Sequence, residues 1–492
     1  MKKIKMIGVI FISFLVLGSC TKGWEEMNVD PNNPTDVPAA NILTNVERRL
    51  TNLLFDMWFT GNNTSSYANH IAKIQYIDEN RYAERDGIIG YWNTFMTYIV
   101  ELNKIIAKAQ ADENPAMEGA AMVIKAQIFH IMTDTWEAIP YTEGAKGEEG
   151  IFQPNYDAQE DVYAALLADL KAANTKLAAG GSIDGDVLNG GDIMLWRKYA
   201  NSLRMRMAIR MSNIDPAGAK AVLTEILADA STYPILASND DVIGFDWVGV
   251  SPYFEPYYAD LIEPRDDHGM CKTFVDALLA TADPRIGEFA HPAADDGIYR
   301  GLPAGITEGD EGFELGTISR IGTRYRDTPN GTNHYFRYAE VEFIKAEAYA
   351  RPDLLNNPAA AQTAYVAGIT ASCAEHGVSA ADITTYLANT NVAWGGAGSW
   401  GYTNLQKIAY QKWVSLFKQG QEAWAETRRT DIPLLGAAPG SIYSGHNRPP
   451  FRWPYPTSEY TLNETVVKSF DGAIKDRFWG DKMWWDTRTG VN

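Results

Sequence analysis

Histidine and cysteine are scarce in this sequence, seven and three in a chain of 492 residues. The histidines (His70, His130, His268, His291, His334, His376, His446) are scattered, and none is spaced as a helical metal pair. There is no H-E-x-x-H helix, no G-x-S-x-G elbow, no P-loop and no dinucleotide fingerprint. No metal, no cofactor and no catalytic residue is therefore expected, and the chain reads as a protein that is not an enzyme. Paired carboxylates of the glycosidase kind carry no weight, because 62 acidic residues form such pairs by chance. Positive charge is the second shortage. Forty-three Lys and Arg against 62 Asp and Glu leave a net charge of −19. That balance excludes nucleic acid, which needs basic patches, and disfavours docking on anionic lipid by charge. Beyond the first nineteen residues, no apolar run is long enough to cross a bilayer, which takes ~20 residues.

What is present begins at the N-terminus. Lys2, Lys3 and Lys5 precede an apolar run from Met6 to Leu17, which ends at Leu17-Gly18-Ser19-Cys20. This is the layout of a secretory signal peptide, and its end resembles a lipobox. The expectation is that residues 1–19 are removed and Cys20 is lipidated. Several acyl chains, at ~0.8 kcal/mol per buried methylene, then make a durable anchor. Residues 20–38 are polar and rich in Asn and Pro, and read as an extended lipidated tether. In an exported chain Cys271 and Cys373 could pair, and two buried thiols are equally consistent.

Apolar residues at helical spacing then recur. One stripe is Trp92, Phe95, Met96, Ile99, Leu102, Ile106. Others are Met117, Ala120, Ile124, Ile128, Ile131; Val162, Leu166, Leu170, Ala173, Leu177; and Trp196, Tyr199, Leu203, Met207. Later come Tyr338, Val341, Ile344, Ala348, and then Leu405, Ile408, Trp413, Leu416, Phe417. Asp157 reads as the start of the third stripe and Gly180-Gly181 as its end. The Asp184–Asp192 turn lacks the calcium-loop register, and Asp192 reads as a helix N-cap. His130 reads as a hydrogen-bonded core residue. The fold expected is mainly α, a solenoid of helix pairs like tetratricopeptide repeats, with long loops and a few short strands. Residues 39–492 read as a single domain with loop-rich insertions at about 235–331, 390–403 and 434–459, where binding residues usually sit.

Aromatics in those loops are the candidate ligand contacts: Trp247, Tyr253, Tyr257 and Tyr258 in the first insertion, Trp394, Trp400 and Tyr402 in the second. A flat ring suits the apolar face of a sugar, and equally a peptide.

Several motifs in order resemble one family. Asn28-Val29-Asp30-Pro31-Asn32 opens it. Thr133-Asp134-Thr135-Trp136 and Ile139-Pro140-Tyr141-Thr142-Glu143 follow, then Tyr199 to Arg206, Arg265-Asp266-Asp267 and Asp283-Pro284-Arg285. Next are Tyr338-Ala339-Glu340-Val341, Gln411-Lys412-Trp413, Glu422-Ala423-Trp424, Arg428-Arg429-Thr430 and Arg452-Trp453-Pro454-Tyr455-Pro456. Together they resemble the SusD-like branch of the SusD/RagB nutrient-binding lipoproteins over nearly the whole mature chain. The resemblance implies a lipid-anchored protein of the outer membrane, facing the cell exterior. It implies a SusC-like TonB-dependent β-barrel partner, over which the protein acts as a hinged lid. It implies an oligosaccharide ligand, or in some members an oligopeptide. The motif residues themselves read as structural: Glu340 and Glu347 lie on one helix face and could receive Arg428 and Arg429.

Two other classes compete. A surface glycosidase or peptidase would need a catalytic pair that is not found. A structural adaptor would use the concave helical face and bind no small ligand.

Overall fold

The Asx-Pro dipeptides Asn114-Pro115, Asp215-Pro216 and Asn357-Pro358 each start a helix a short turn after the previous one ends. In each, the Asn or Asp side chain accepts from a backbone N–H two residues beyond the proline: Met117, Gly218 and Ala360. Proline at the first helical position loses no hydrogen bond there. A computed structural model describes residues 37–83, 87–263, 266–307, 309, 313–471 and 478–492. The expected leader (1–19), Cys20 and the tether before Val37 lie outside the described residues.

The longer helices are α1 Ala39–Phe55, α2 Gly87–Ala111, α3 Pro115–Trp136, α4 Gln159–Ala178, α5 Ile193–Met211 and α6 Pro216–Ala228. They continue with α7 Tyr338–Ala350, α8 Pro358–Glu375, α9 Asn404–Ser415 and α10 Gly420–Thr430. Consecutive helices from α2 to α6 pack on one another, as do α7 and α8, and α7 also packs on α5 and α9. The protein is thus mainly helical, with a tetratricopeptide-like run of helix pairs. Two antiparallel strand pairs complete it: β1 Ile71–Lys73 with β3 His268–Met270, and β2 Ile243–Asp246 with β4 Thr332–Phe336. Gly368 permits a close helix contact. A Cβ there would meet the Phe343 ring at 2.7 Å, so α7 and α8 need glycine to approach so closely.

The predicted stripes form the core. Val162, Leu166, Leu170, Ala173 and Leu177 are all buried, as are Trp196, Tyr199, Leu203 and Met207. Leu405 is an exception: it lies in the first turn of α9 and is exposed. Asp192 caps α5, accepting from Met194 and Leu195. Asp157 does not cap α4. It pairs through its backbone with Ile139, its carboxylate accepts from the Thr142 N–H and hydroxyl, and Ala158 holds the cap position with no side-chain bond. Cys271 and Cys373 are both buried free thiols, which settles the alternative left open above.

Charged side chains are also buried between helices. Arg206 on α5 grips Glu340 on α7 through Nε at 2.7 Å and Nη2 at 2.6 Å. Arg429 on α10 grips Glu347 on α7 at 2.6 Å through each terminal nitrogen. Arg210 reaches Glu422, and Glu426 at 3.0 Å. Arg428 departs from the expected glutamate pairing, because Glu340 is already occupied by Arg206. It donates instead to the carbonyls of Phe451 and Asp134, with its guanidinium 3.7 Å above the Trp424 ring. His130 is buried, with Nε2 3.3 Å from Asp134 Oδ2. Burial opposes the charge of Asp134, but His130, Arg210 and Tyr163 hold its carboxyl below the usual range.

Candidate ligand site

Capture of a sugar or peptide asks for a concave surface of a few hundred Å³ with a flat apolar face and polar groups at its edge. One cleft combines these. It holds about 380 Å³ between residues 74–81, which leave β1 as turns, and Ile306, Thr307, Gly309 and Phe313. Gln75, Asp78 and Arg81 supply polar groups. Tyr76 is 63% exposed and holds a φ of +52°. A bulky residue in the left-handed region is uncommon, and such strain clusters at functional sites.

The cleft walls are locked together. Arg81 Nε donates to the Gly440 carbonyl at 2.8 Å, and the Gly440 N–H donates to the Gly305 carbonyl at 2.7 Å. The Ala438 N–H donates to the Tyr82 hydroxyl at 2.8 Å. Gly305 has φ +70°, and a Cβ there would lie 2.2 Å from the Asn80 carbonyl oxygen. Only glycine lets these segments meet. Three irregular segments, remote in sequence, thus build one surface.

A second exposed aromatic stands beside it. Trp58, 45% exposed, lies on a π-helical turn, Met57–Thr64. Lys73 Nζ is 5.9 Å from the centre of its ring and 3.0 Å from Glu79, in the turn that leads to Arg81. π-turns are frequent at functional sites. Asp56 caps this turn, accepting from the Phe59 N–H at 2.6 Å. Burial pushes its carboxyl up to about 7, against those amide bonds and with help from Asp260.

The seven aromatics expected from the sequence fall into two separate groups. Around β2, Trp247 is buried and its indole N–H donates to Asn333 Oδ1 at 2.7 Å. Tyr257 is also buried, with Lys418 Nζ 4.2 Å from its ring centre. Tyr258 is half-buried, 5.3 Å from Phe254. Tyr253 is 46% exposed, with the Arg48 guanidinium 5.8 Å from its ring centre. In the second group, Trp394 is half-buried against Tyr365 at 5.5 Å. Trp400 lies tilted against Tyr402 at 5.4 Å and edge-on to Tyr410 at 5.0 Å. None of the seven lines the 380 Å³ cleft.

Tyr76 and Phe313 escaped sequence reasoning. Phe313 stood inside an insertion already marked as loop-rich. Tyr76 carried a signal, an aromatic in a stretch without helical period, but no Gly-rich context drew attention to it. Other clefts fit less well. The central cavity between His130, Asp134 and Glu422 holds about 40 Å³, room for little more than a water. A cleft of about 390 Å³ between α1 and α2 has no aromatic lining. Among the described residues, no cluster of three or more His, Cys, Asp or Glu is placed to hold a metal ion, and no helix is long and apolar enough to cross a membrane.

Comparison with known proteins gives a consistent picture. A SusD-like family model, described as starch-binding and associating with the outer membrane, matches residues 31–456. No curated protein matches the chain. A chitin-binding SusD homologue from Flavobacterium johnsoniae superposes with a TM-score of 0.78 at 24% identity, over 92% of this chain and 99% of that one. A SusD homologue from Bacteroides fragilis gives 0.76 at 23% identity, over 92% and 100%. One from Bacteroides vulgatus gives 0.77 at 25% identity, over 92% and 98%.

Proposed function

The chain belongs to the SusD-like family, and from that premise we propose that it binds an oligosaccharide at the outer face of the outer membrane and hands it to a SusC-like TonB-dependent transporter. The observation that carries the binding site is the exposed Tyr76 ring on the wall of a 380 Å³ cleft that also holds Phe313, Gln75, Asp78 and Arg81. A sugar ring can lie against Tyr76 while amide, carboxylate and guanidinium groups meet its hydroxyls. The description of the family as starch-binding and the chitin-binding relative support a glycan over a peptide.

Of the seven loop aromatics, Tyr253, Tyr258, Trp394, Trp400 and Tyr402 keep exposed edges and stand as auxiliary contacts. Trp247 and Tyr257 support the loops from beneath. The role is capture rather than catalysis. Residues 39–492 act as one folding unit behind the tether, and lipidation of Cys20 holds them at the membrane.

Titration calorimetry of the mature protein against starch- and chitin-derived oligosaccharides, with oligopeptides as a second panel, tests the reading. Saturable heat with a glycan, reduced by Tyr76→Ala, supports it. Peptide binding alone, or turnover of any panel member, sinks it. For the anchor, Cys20→Ser is expected to release the protein from membranes, and retention would remove the lipid from the account.

A further inference from the structure

A second pocket, of about 230 Å³, lies between the Thr323–Arg326 turn, β4 and the turn joining α9 to α10. Three cations face it: Arg324, Arg337 and Lys418. In a chain with a net charge of −19, such a convergence of positive groups is the exception. Two of the three are spent. Lys418 is buried on Glu255, which also accepts from Asn333 Nδ2 at 3.0 Å. Arg337 is buried, with Nε 3.0 Å from Glu375 Oε1 and Nη1 3.3 Å from the Ser415 carbonyl.

Arg324 differs. Its side chain is 35% exposed, and its nearest carboxylate oxygen, 3.6 Å away, is the same Glu375 Oε1 that Arg337 already holds. His334 Nε2 also stands 3.9 Å from that oxygen, but burial and Arg337 push this imidazole down to about 4, so it is neutral near pH 7. Thr332 Oγ1 is spent on Asp246, at 2.5 Å, and Thr328 Oγ1 donates to the Thr323 carbonyl at 2.9 Å, which leaves Asn330 and the acceptor side of Thr328 as polar groups of the lining. The pocket therefore presents one partly exposed guanidinium that shares Glu375 with Arg337, beside two buried cations already paired with Glu255 and Glu375. A fork of parallel N–H donors matches a carboxylate in two hydrogen bonds at once.

We propose that this pocket is a second ligand site, which takes the carboxylate of an acidic sugar, a uronic-acid unit that Arg324 grips while its ring hydroxyls meet Asn330 and Thr328. The proposal rests on the glycan-binding reading but not on the Tyr76 cleft.

The test titrates the mature protein with D-glucuronate, D-glucose and acetate, using ligand-observed NMR and calorimetry, on the wild type, Arg324→Gln and Arg324→Lys. Glucuronate is expected to bind about tenfold tighter than glucose. Arg324→Gln should erase that preference and Arg324→Lys should keep part of it, with thermal midpoints unchanged in both. Equal affinity for glucuronate and glucose overturns the proposal. So does a preference that survives Arg324→Gln, or acetate binding as tightly as glucuronate. The Tyr76→Ala variant separates the two sites. If it loses neutral oligosaccharide yet keeps the Arg324-dependent preference, both readings stand. If no neutral oligosaccharide binds the wild type but glucuronate does through Arg324, the cleft reading falls and this one survives.

Discussion

Arg206 and Glu340 meet through two charge-assisted hydrogen bonds, 2.7 and 2.6 Å long, and both side chains are buried. They sit on helices more than a hundred residues apart in sequence and join α5 to α7. Truncating one partner strands a charge in the interior. Glu340→Ala is therefore expected to cost about 3–5 kcal/mol. Replacing both with apolar residues of similar size, Arg206→Met with Glu340→Leu, should cost much less than the single change. Urea denaturation of the three variants checks this, and a double variant less stable than Glu340→Ala would refute it.

Exposed and buried aromatics should respond differently to truncation. Tyr76→Ala is expected to weaken oligosaccharide binding about tenfold, or ~1.4 kcal/mol, with an unchanged melting temperature. Trp247→Ala empties a buried space and strands Asn333, so it should lower stability by about 3–5 kcal/mol. Calorimetry and thermal melts on the same samples separate the two effects. An equal loss of stability in both variants would remove Tyr76 from the site.

Asp56 gives stability a dependence on pH. The native carboxyl keeps its proton up to about 7, whereas the unfolded chain releases it near 3.8. Between these values the native state binds more protons, so this group's contribution is present at low pH and lost as pH rises through the window. Asp56→Asn cannot ionise and lacks that slope. The wild type should thus gain stability relative to Asp56→Asn as pH falls from about 7 to about 4. Parallel denaturation midpoints across that range would show that Asp56 does not titrate there.

The two thiols should be silent in the native protein. Burial pushes both Cys271 and Cys373 up to about 11, and a buried thiol reacts poorly. A thiol reagent at neutral pH is expected to label neither until denaturant is added, after which both react. Rapid labelling of the folded protein would contradict the burial of these residues.

The helical stripes, the motifs shared with the SusD-like family and the cap at Asp192 were all legible in the sequence. Each is local: an i, i+3/i+4 period or a turn dipeptide is written within a few residues, and burial follows from it. Ligand geometry is not local. Trp247 and Tyr257 looked like candidates because they stand in a Gly- and Pro-rich segment, yet packing against Asn333 and Lys418 buries them. Tyr76 and Phe313 lie far apart in the chain and share a cleft only because Arg81, Gly305 and Gly440 lock three loops together. Arg428 lost its expected glutamate for the same kind of reason, since Arg206 from another helix had claimed Glu340. Spacing along the chain therefore determined which residues form helices and which faces are apolar. Competition among distant groups for space and hydrogen-bond partners, which no linear pattern records, decided which aromatics face solvent and which charges remain available to a ligand.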